Sequence, residues 1–309
     1  MKLTNEQIKS IAFGAVRIEE KENGLVFFKT TQKQVDAWTA HSETLGLRAQ
    51  CPTGVRLDFE TDSDFFEAKF KNAHRAEILV NGFYAGVIDN GVIHKELPGG
   101  TNRVTLVFPS HDSVPTLESV SLSDNASFTP HIYDRKILLI GDSITQGWNS
   151  GIDCTSYAWR TMLSLNADCV INGIGGAYYA PDTFDSIDFV PETVTVAYGT
   201  NDYGHYKTKT EFETAVKEHL SLLKNEYQYA RCVCILPPPR FDLDKKRSMG
   251  TFDECRDIIR KCALETGFET VDAYDFVPSD MQFFADALHP NALGFSYYAE
   301  NLVKILGEK

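Results

Sequence analysis

Two rhythms of apolar and polar residues divide the chain. Up to about residue 130 the period is two, with turn residues between short runs. In GVRLDFETDS (54–63), Val55, Leu57 and Phe59 alternate with Arg56, Asp58 and Glu60, the pattern of a half-buried strand. EILVNGFYAGVI (77–88) sets Asn81-Gly82 between two apolar runs, a strong short-range hairpin signal. NRVTLVFPS (102–110) reads as a further strand, closed by proline. No amphipathic helix is expected in this half beyond the first few residues. Residues 1–130 are therefore expected to form an all-β sandwich of the jelly-roll kind.

From about Arg135 the rhythm changes. KILLIG (136–141), DCVIN (168–172), TVTVAYG (193–199), RCVCIL (231–236) and FETVDAY (268–274) are short apolar runs of the buried-strand type. Helical patterns separate them. TEFETAVKEHLSLL (210–223) offers a capping box at Thr210-x-x-Glu213 and repeats Phe212, Val216, Leu220 and Leu223 on one face. TFDECRDIIRKCALETG (251–267) does the same with Thr251-x-x-Glu254 and Phe252, Cys255, Ile259 and Cys262, and stops at Gly267. Alternating strands and helices predict a three-layer, flavodoxin-like α/β domain with a parallel sheet over 135–309. SDNASFTPHIYD (123–134) is the expected linker.

Composition narrows the partners. A chain of 309 residues suits two domains, and 43% hydrophobic with 24% charged residues is ordinary for a globular protein. No apolar run approaches the roughly 20 residues of a membrane span, and the start MKLTNEQIKS lacks the apolar core of a secretory signal, so a cytoplasmic location is expected. A net charge of −13 disfavours nucleic acid and anionic membranes. A neutral small-molecule or oligosaccharide substrate suits it better. The seven cysteines include no C-x-x-C pair, so free buried thiols are expected, with no metal or cofactor.

In an open parallel sheet the ligand crevice lies beyond the carboxyl ends of the strands. The segments that follow the runs are Gly141-Asp142-Ser143, NGIGGAYYAP (172–181), YGTNDYGH (198–205) and LPPPR (236–240), and DALHPN (286–291) precedes the last helix. Gly-Asp-Ser followed by Ile-Thr-Gln-Gly is not the G-x-S-x-G elbow. Taken alone, Asp142 and Ser143 suit a strand-end turn as well as they suit chemistry. The late segment changes the balance. Pro290 fits the first position of a helix that continues with Phe295, Tyr298, Leu302 and Ile305 on one face. His289 then stands at the helix mouth, and Asp286, three residues earlier, can reach its Nδ1. That would leave Nε2 free to take a proton from Ser143; the alternative is a histidine that only caps the helix.

A nucleophilic serine also needs donors for an oxyanion. Asn201 can supply a side-chain amide, and a loop glycine lets its backbone N–H approach a substrate closely. Ser143, Gly176 and Asn201 would make a three-donor hole. N-G, G-G and T-N-D are also ordinary turn sequences, and their placement at successive strand ends carries the reading. GIGGAY (173–178) resembles the start of a dinucleotide fingerprint but lacks its third glycine and meets Pro181 before any helix. Asp142, Trp148, Tyr178, Tyr203, His205 and Arg240 lie beside these segments and are candidate substrate contacts. Packing in the core or rim is the alternative for the aromatics, and a solvated side chain for Arg240.

Gly141-Asp142-Ser143-Ile144-Thr145, the glycines of NGIGG (172–176), Gly199-Thr200-Asn201-Asp202 and Asp286-Ala287-Leu288-His289-Pro290 resemble, in order and spacing, the four signature blocks of the SGNH (GDSL) hydrolases. The resemblance covers roughly 135–309. It implies Ser143 as nucleophile, His289 as base and then acid, Asp286 as its orienter, and Ser143, Gly176 and Asn201 as oxyanion donors. The glycine block is one residue shorter than the family pattern between Asn172 and Ile174, which leaves Gly175 and Gly173 as alternatives to Gly176. A β-sandwich ahead of such a domain resembles the layout of carbohydrate esterase family two. That implies a serine esterase that removes short acyl groups, acetyl foremost, from a carbohydrate. The alternatives are an acyltransferase on the same catalytic domain and a non-catalytic carbohydrate-binding protein.

Overall fold

The alternating runs of the first half build two antiparallel sheets in the computed structural model, which describes residues 1–243 and 247–307. Residues 244–246 and 308–309 of the expected 135–309 region lie outside the described residues. In chain order the first half comprises α1 (Asn5–Ser10), β1 (Ala12–Phe13), β2 (Arg17–Lys21), β3 (Gly24–Phe28), α2 (Gln32–His41), α3 (Glu43–Gln50) and β4 (Arg56–Thr61). It continues with β5 (Phe65–Lys71), β6 (Glu77–Val80), β7 (Phe83–Val87), β8 (Val92–Glu96), β9 (Asn102–Val107), β10 (Thr116–Leu122) and β11 (Phe128–Pro130). One sheet runs β1-β4-β9-β6-β7 with β11 also on β4; the other runs β2-β3-β10-β5-β8. Leu57, Phe59, Ile78, Val104 and Leu106 of the first meet Phe27, Phe66, Phe70, Leu117 and Val120 of the second in one apolar core, which makes the pair a sandwich. The hairpin turn between β6 and β7 is Asn81-Gly82, both at positive φ (52° and 80°) as a primed turn requires.

Three features of this half depart from the sequence reading. Helices α2 and α3 interrupt the strands between β3 and β4. Thr31 and Gln34 form a reciprocal capping box on α2, and Val35, Trp38, Leu45 and Ala49 pack with Val170, Ile174, Ala177 and Tyr178 of the second half. Two of the three polar alternates of β4, Arg56 and Asp58, do not face water. Arg56 is fully buried between the two halves, where Nη2 donates to Asp168 (2.8 Å), Nη1 to the Cys169 carbonyl (3.1 Å) and Nε to Tyr133 Oη (2.7 Å). Asp58 beside it accepts from Arg103 (2.7 and 2.9 Å), Thr105 and the Tyr133 hydroxyl. The expected linker is partly strand, since β11 pairs with β4 and the His131 N–H donates to the Asp58 carbonyl.

The second half comprises β12 (Arg135–Gly141), α4 (Ser143–Gln146), α5 (Tyr157–Ser164), β13 (Ala167–Gly173), β14 (Thr193–Ala197) and α6 (Asp202–His205). It ends with α7 (Lys209–Glu226), β15 (Arg231–Leu236), α8 (Phe252–Glu265), β16 (Glu269–Asp272) and α9 (Ala292–Gly307). The strands pair in parallel in the order β13-β12-β14-β15-β16, the doubly wound order with its switch point at β12. Leu138 and Ile140 of β12 face α7 and α8, while Ile137 and Leu139 face α5 and α9, so the central strand is apolar on both sides and the domain has three layers. All seven cysteines are free and buried. The cap of α7 is the Thr208–Glu211 box, two residues before the expected Thr210–Glu213. Likewise α9 starts at Ala292: Asn291 Oδ1 accepts the N–H groups of Leu293 and Gly294, and Pro290 stays outside the helix in a bridge to Phe284.

Candidate active site

Register alone gathers three loops at one edge of the parallel sheet. Gly141, the last residue of β12, pairs with Gly173 on one side and Ala197 on the other. The segments carrying Ser143, Gly176 and Asn201 therefore leave the sheet together. Gly141 has to be glycine, because a Cβ there would lie 2.1 Å from Thr145 Oγ1 and 2.9 Å from the Ala197 carbonyl. The Asp142 carboxylate accepts the Ile144 N–H (2.9 Å) and caps the single turn α4, and Gly147 ends it in the left-handed region. Ser143 is the first residue of that turn, so its own N–H has no intrahelical acceptor.

Ser143 Oγ lies 2.8 Å from His289 Nε2, and His289 Nδ1 lies 2.8 Å from Asp286 Oδ2. A carboxylate can only accept, so Nδ1 carries the ring proton and Nε2 faces the serine hydroxyl as an acceptor. Asp286 is itself held: Oδ1 accepts the N–H groups of Leu288 (2.7 Å) and His289 (2.8 Å), and Oδ2 also accepts from Asn149 Nδ2 (2.9 Å). Burial raises the Asp286 pKa, but the donors from His289 and Leu288 outweigh it and leave the carboxyl below its usual range. The loop is braced by the Ala285 N–H on the His289 carbonyl (2.9 Å) and the Phe241 N–H on the Ala287 carbonyl (2.8 Å). This arrangement can move a proton from Ser143 to His289 while Asp286 compensates the imidazolium charge.

The glycine loop separates its three candidates. Gly173 lies within β13, packed beneath the backbone of Gln146. The Gly175 N–H is committed to Gln146 Oε1 (2.6 Å). Gly176 sits at φ +88°, and among the described residues its N–H has no acceptor. Asn201 Nδ2 donates one hydrogen to the Ala177 carbonyl (2.9 Å), which fixes the amide and leaves its second hydrogen unspent.

The other candidates divide. Asp142 is fully buried, and burial pushes its carboxyl up to about 7, with the nearby Asp202 adding to the rise. Asp202 is likewise pushed up to about 7 by burial, against the N–H groups of Tyr179 and Gly199 that it accepts. Tyr178 stacks on the exposed His205 (3.7 Å between centroids), and its hydroxyl meets His41 Nδ1 (2.7 Å), whose Nε2 reaches Asp182 (2.8 Å). Trp148 lines a groove of about 380 Å³ with Thr44, Leu47, Arg48, Cys51 and Val114, and its ring is flanked by His111 and the Arg48 guanidinium. Two of the candidates lie in the interior. Arg240 does not border the cleft as a solvated side chain; it is buried, with Nη1 on the Thr200 carbonyl (2.7 Å) and the rest of its fork on Asp242. Tyr203 is buried beneath that arginine and donates to the Gly250 carbonyl (3.0 Å). The sequence reading missed Arg48 and His41, which come from the first half of the chain, and Gln146 and Asn149, which lie within six residues of Ser143 but whose partners Gly175 and Asp286 are 29 and 137 residues away from them.

The buried acid pair has a consequence for stability. A carboxyl whose folded pKa of about 7 exceeds its ordinary 3.8 contributes stability below about pH 4 that is lost as the pH rises through 7. Asp142→Asn, which keeps a capping oxygen, is expected to stabilise the fold at pH 8 by on the order of 4 kcal/mol and to leave stability at pH 4 nearly unchanged. Urea midpoints of wild type and variant at the two pH values check this; equal differences at both would show that the Asp142 carboxyl is not held neutral.

Fold and site together define a class: a Ser–His–Asp arrangement at the carboxyl edge of a three-layer α/β domain that follows a β-sandwich. The sequence model of the GDSL-like lipase/acylhydrolase family matches residues 139–296, and the chain belongs to that family. No curated protein matches it. Among solved structures, a salicylyl-acyltransferase, SsfX3, from a tetracycline biosynthetic pathway is similar with a TM-score of 0.82 at 17% identity, over 96% of this chain and 94% of that one. A family two carbohydrate esterase from Clostridium thermocellum, in complex with cellohexaose, gives 0.68 at 19% identity, over 82% and 92%. An acetyl xylan esterase (Est2A) from the rumen bacterium Butyrivibrio proteoclasticus gives 0.67 at 16% identity, over 99% and 97%. At these identities the likeness is one of fold.

Proposed function

We propose that the protein is a serine esterase that removes short acyl groups, acetyl foremost, from a carbohydrate. The observation that carries the reading is the unbroken relay from Ser143 Oγ through His289 to Asp286, at 2.8 Å for each step. In this reading Ser143 Oγ attacks the ester carbonyl and its proton passes to His289 Nε2. The oxyanion is received by the N–H groups of Ser143 and Gly176 and by the Asn201 amide. His289 then protonates the departing alcohol, and a water activated by the same nitrogen releases the acid from Ser143. The carbohydrate half of the proposal is supported by the shared two-domain layout with the family two esterases.

A second reading, acyl transfer, is favoured by the TM-score of 0.82 to the salicylyl-acyltransferase. The two differ only in whether water or an alcohol captures the acyl-serine. The test measures hydrolysis of p-nitrophenyl esters from acetate to octanoate and of an acetylated oligosaccharide, with and without an added alcohol acceptor. Acetate is expected to be turned over best, with rates falling about tenfold or more towards octanoate. Faster turnover of the long esters would overturn the short-acyl reading. Diversion of product from free acid to new ester by the acceptor would replace hydrolysis with transfer.

A further inference from the structure

The Gly175–Gly176 peptide is gripped from the first half of the chain. Arg48 Nη1, on α3, donates to the Gly175 carbonyl (2.9 Å). That carbonyl and the Gly176 N–H belong to one planar trans unit, in which C=O and N–H point in opposite directions. Holding the oxygen on Arg48 therefore turns the Gly176 N–H away from that arginine, on a loop that leaves the sheet at the same edge as those of Ser143 and Asn201. On the neighbouring peptide the Gly175 N–H is held by Gln146 Oε1, so the loop cannot swivel about either bond without losing a partner. The approach is close: a Cβ on Gly176 would come within 3.2 Å of Arg48 Nη1.

The arginine is also built to keep its place. Among the described residues it has no carboxylate partner, and its guanidinium lies over the Trp148 ring (4.9 Å). The end of α3 that carries it is tied down by the buried Lys29, whose ammonium donates to the carbonyls of Arg48 (2.8 Å) and Cys51 (2.6 Å), and by Thr30 Oγ1 on the Ala49 carbonyl (2.9 Å). An unpaired cation on the carbonyl end of a peptide draws electron density towards the oxygen and strengthens the N–H as a donor. We propose that Arg48 is a positioning residue, which orients and polarises the Gly176 N–H for the oxyanion and makes the first half of the chain part of the catalytic apparatus. The inference rests on Gly176 acting as an oxyanion donor in the esterase reading.

The experiment compares wild type, Arg48→Ala and Ser143→Ala on p-nitrophenyl acetate, with folding checked by circular dichroism. Arg48→Met, which keeps the apolar stem, carries the test should the alanine variant fail to fold. Loss of the aimed donor is expected to lower kcat by about 10- to 100-fold, less than deleting a donor outright, with KM within about twofold of wild type. The rate of inactivation by an alkyl phosphonate, which forms the same tetrahedral oxyanion, should fall in step. Methylguanidinium chloride should restore part of the Arg48→Ala activity where equal sodium chloride does not. A kcat within about twofold of wild type, or a loss confined to KM, would overturn the role of Arg48 while leaving the esterase reading intact. No hydrolysis by wild type, or equal hydrolysis by Ser143→Ala, would overturn the esterase reading and this inference with it.

Discussion

Ser143→Ala is expected to lower kcat on p-nitrophenyl acetate by about 10⁶, the scale seen where nucleophile, base and orienter act as a unit. The argument is geometric. Among the described residues Ser143 Oγ is the one hydroxyl in contact with His289 Nε2, and the turn that presents it is capped by Asp142 and closed by Gly147. Alanine keeps the turn, since the cap and the backbone bonds do not involve the serine side chain, so the variant should fold with wild-type stability. A loss of activity then reports on chemistry rather than on folding. Retention of more than about one part in a hundred of wild-type kcat would remove Ser143 from the mechanism, because binding and the remaining oxyanion donors alone cannot sustain that rate.

Asp286→Asn is expected to lower kcat by about 10⁴, through the tautomer of His289. In the wild type, Oδ1 is occupied by the backbone N–H groups of Leu288 and His289, and Oδ2 faces Nδ1. An asparagine would keep its oxygen on the two N–H groups and turn its amide N–H towards the ring. Nδ1 would then have to accept, the proton would move to Nε2, and Ser143 would lose its base. Asn149 adds to the effect, since its amide also donates to Oδ2 and would meet another donor. The check is kcat together with ¹H chemical shifts of the His289 ring protons. A variant within about tenfold of wild type, with its proton still on Nδ1, would show that the loop rather than the carboxylate orients the ring.

The parallel sheet was legible because its strands are buried on both faces and therefore appear as unbroken apolar runs; β12 through β15 fall within a residue or two of those runs at their starts. The relay was legible for a related reason: Asp286 and His289 are three residues apart on a loop next to a helix, a short-range pattern. Where long-range packing chooses between local options, the sequence was silent or misleading. Thr208-x-x-Glu211 and Thr210-x-x-Glu213 are equally good capping boxes, and nothing local shows that the first is used. Arg56 and Asp58 alternate with apolar residues as surface positions do, but their partners Asp168, Arg103 and Tyr133 lie 45 to 112 residues away. Arg240 and Tyr203 looked like rim residues for the same reason, since Thr200 and Gly250, whose carbonyls they hold, lie 40 and 47 residues away. Helices α2 and α3 are short and polar, and their buried apolar residues Val35, Trp38, Leu45 and Ala49 face a core built by the other half of the chain.

That last arrangement bears on how such a chain can change over time. The border drawn by chain order, near residue 130, is not the border drawn by the cores, because α2 and α3 sit between two sandwich strands yet wall the α/β domain at Ile174, Ala177 and Tyr178. Recombination at the linker would trade the sandwich and, unseen, one flank of the neighbouring domain with it. The halves are therefore interleaved rather than modular, and a graft that respects the protein would carry residues 31–51 along with the hydrolase domain rather than with the strands on either side of them.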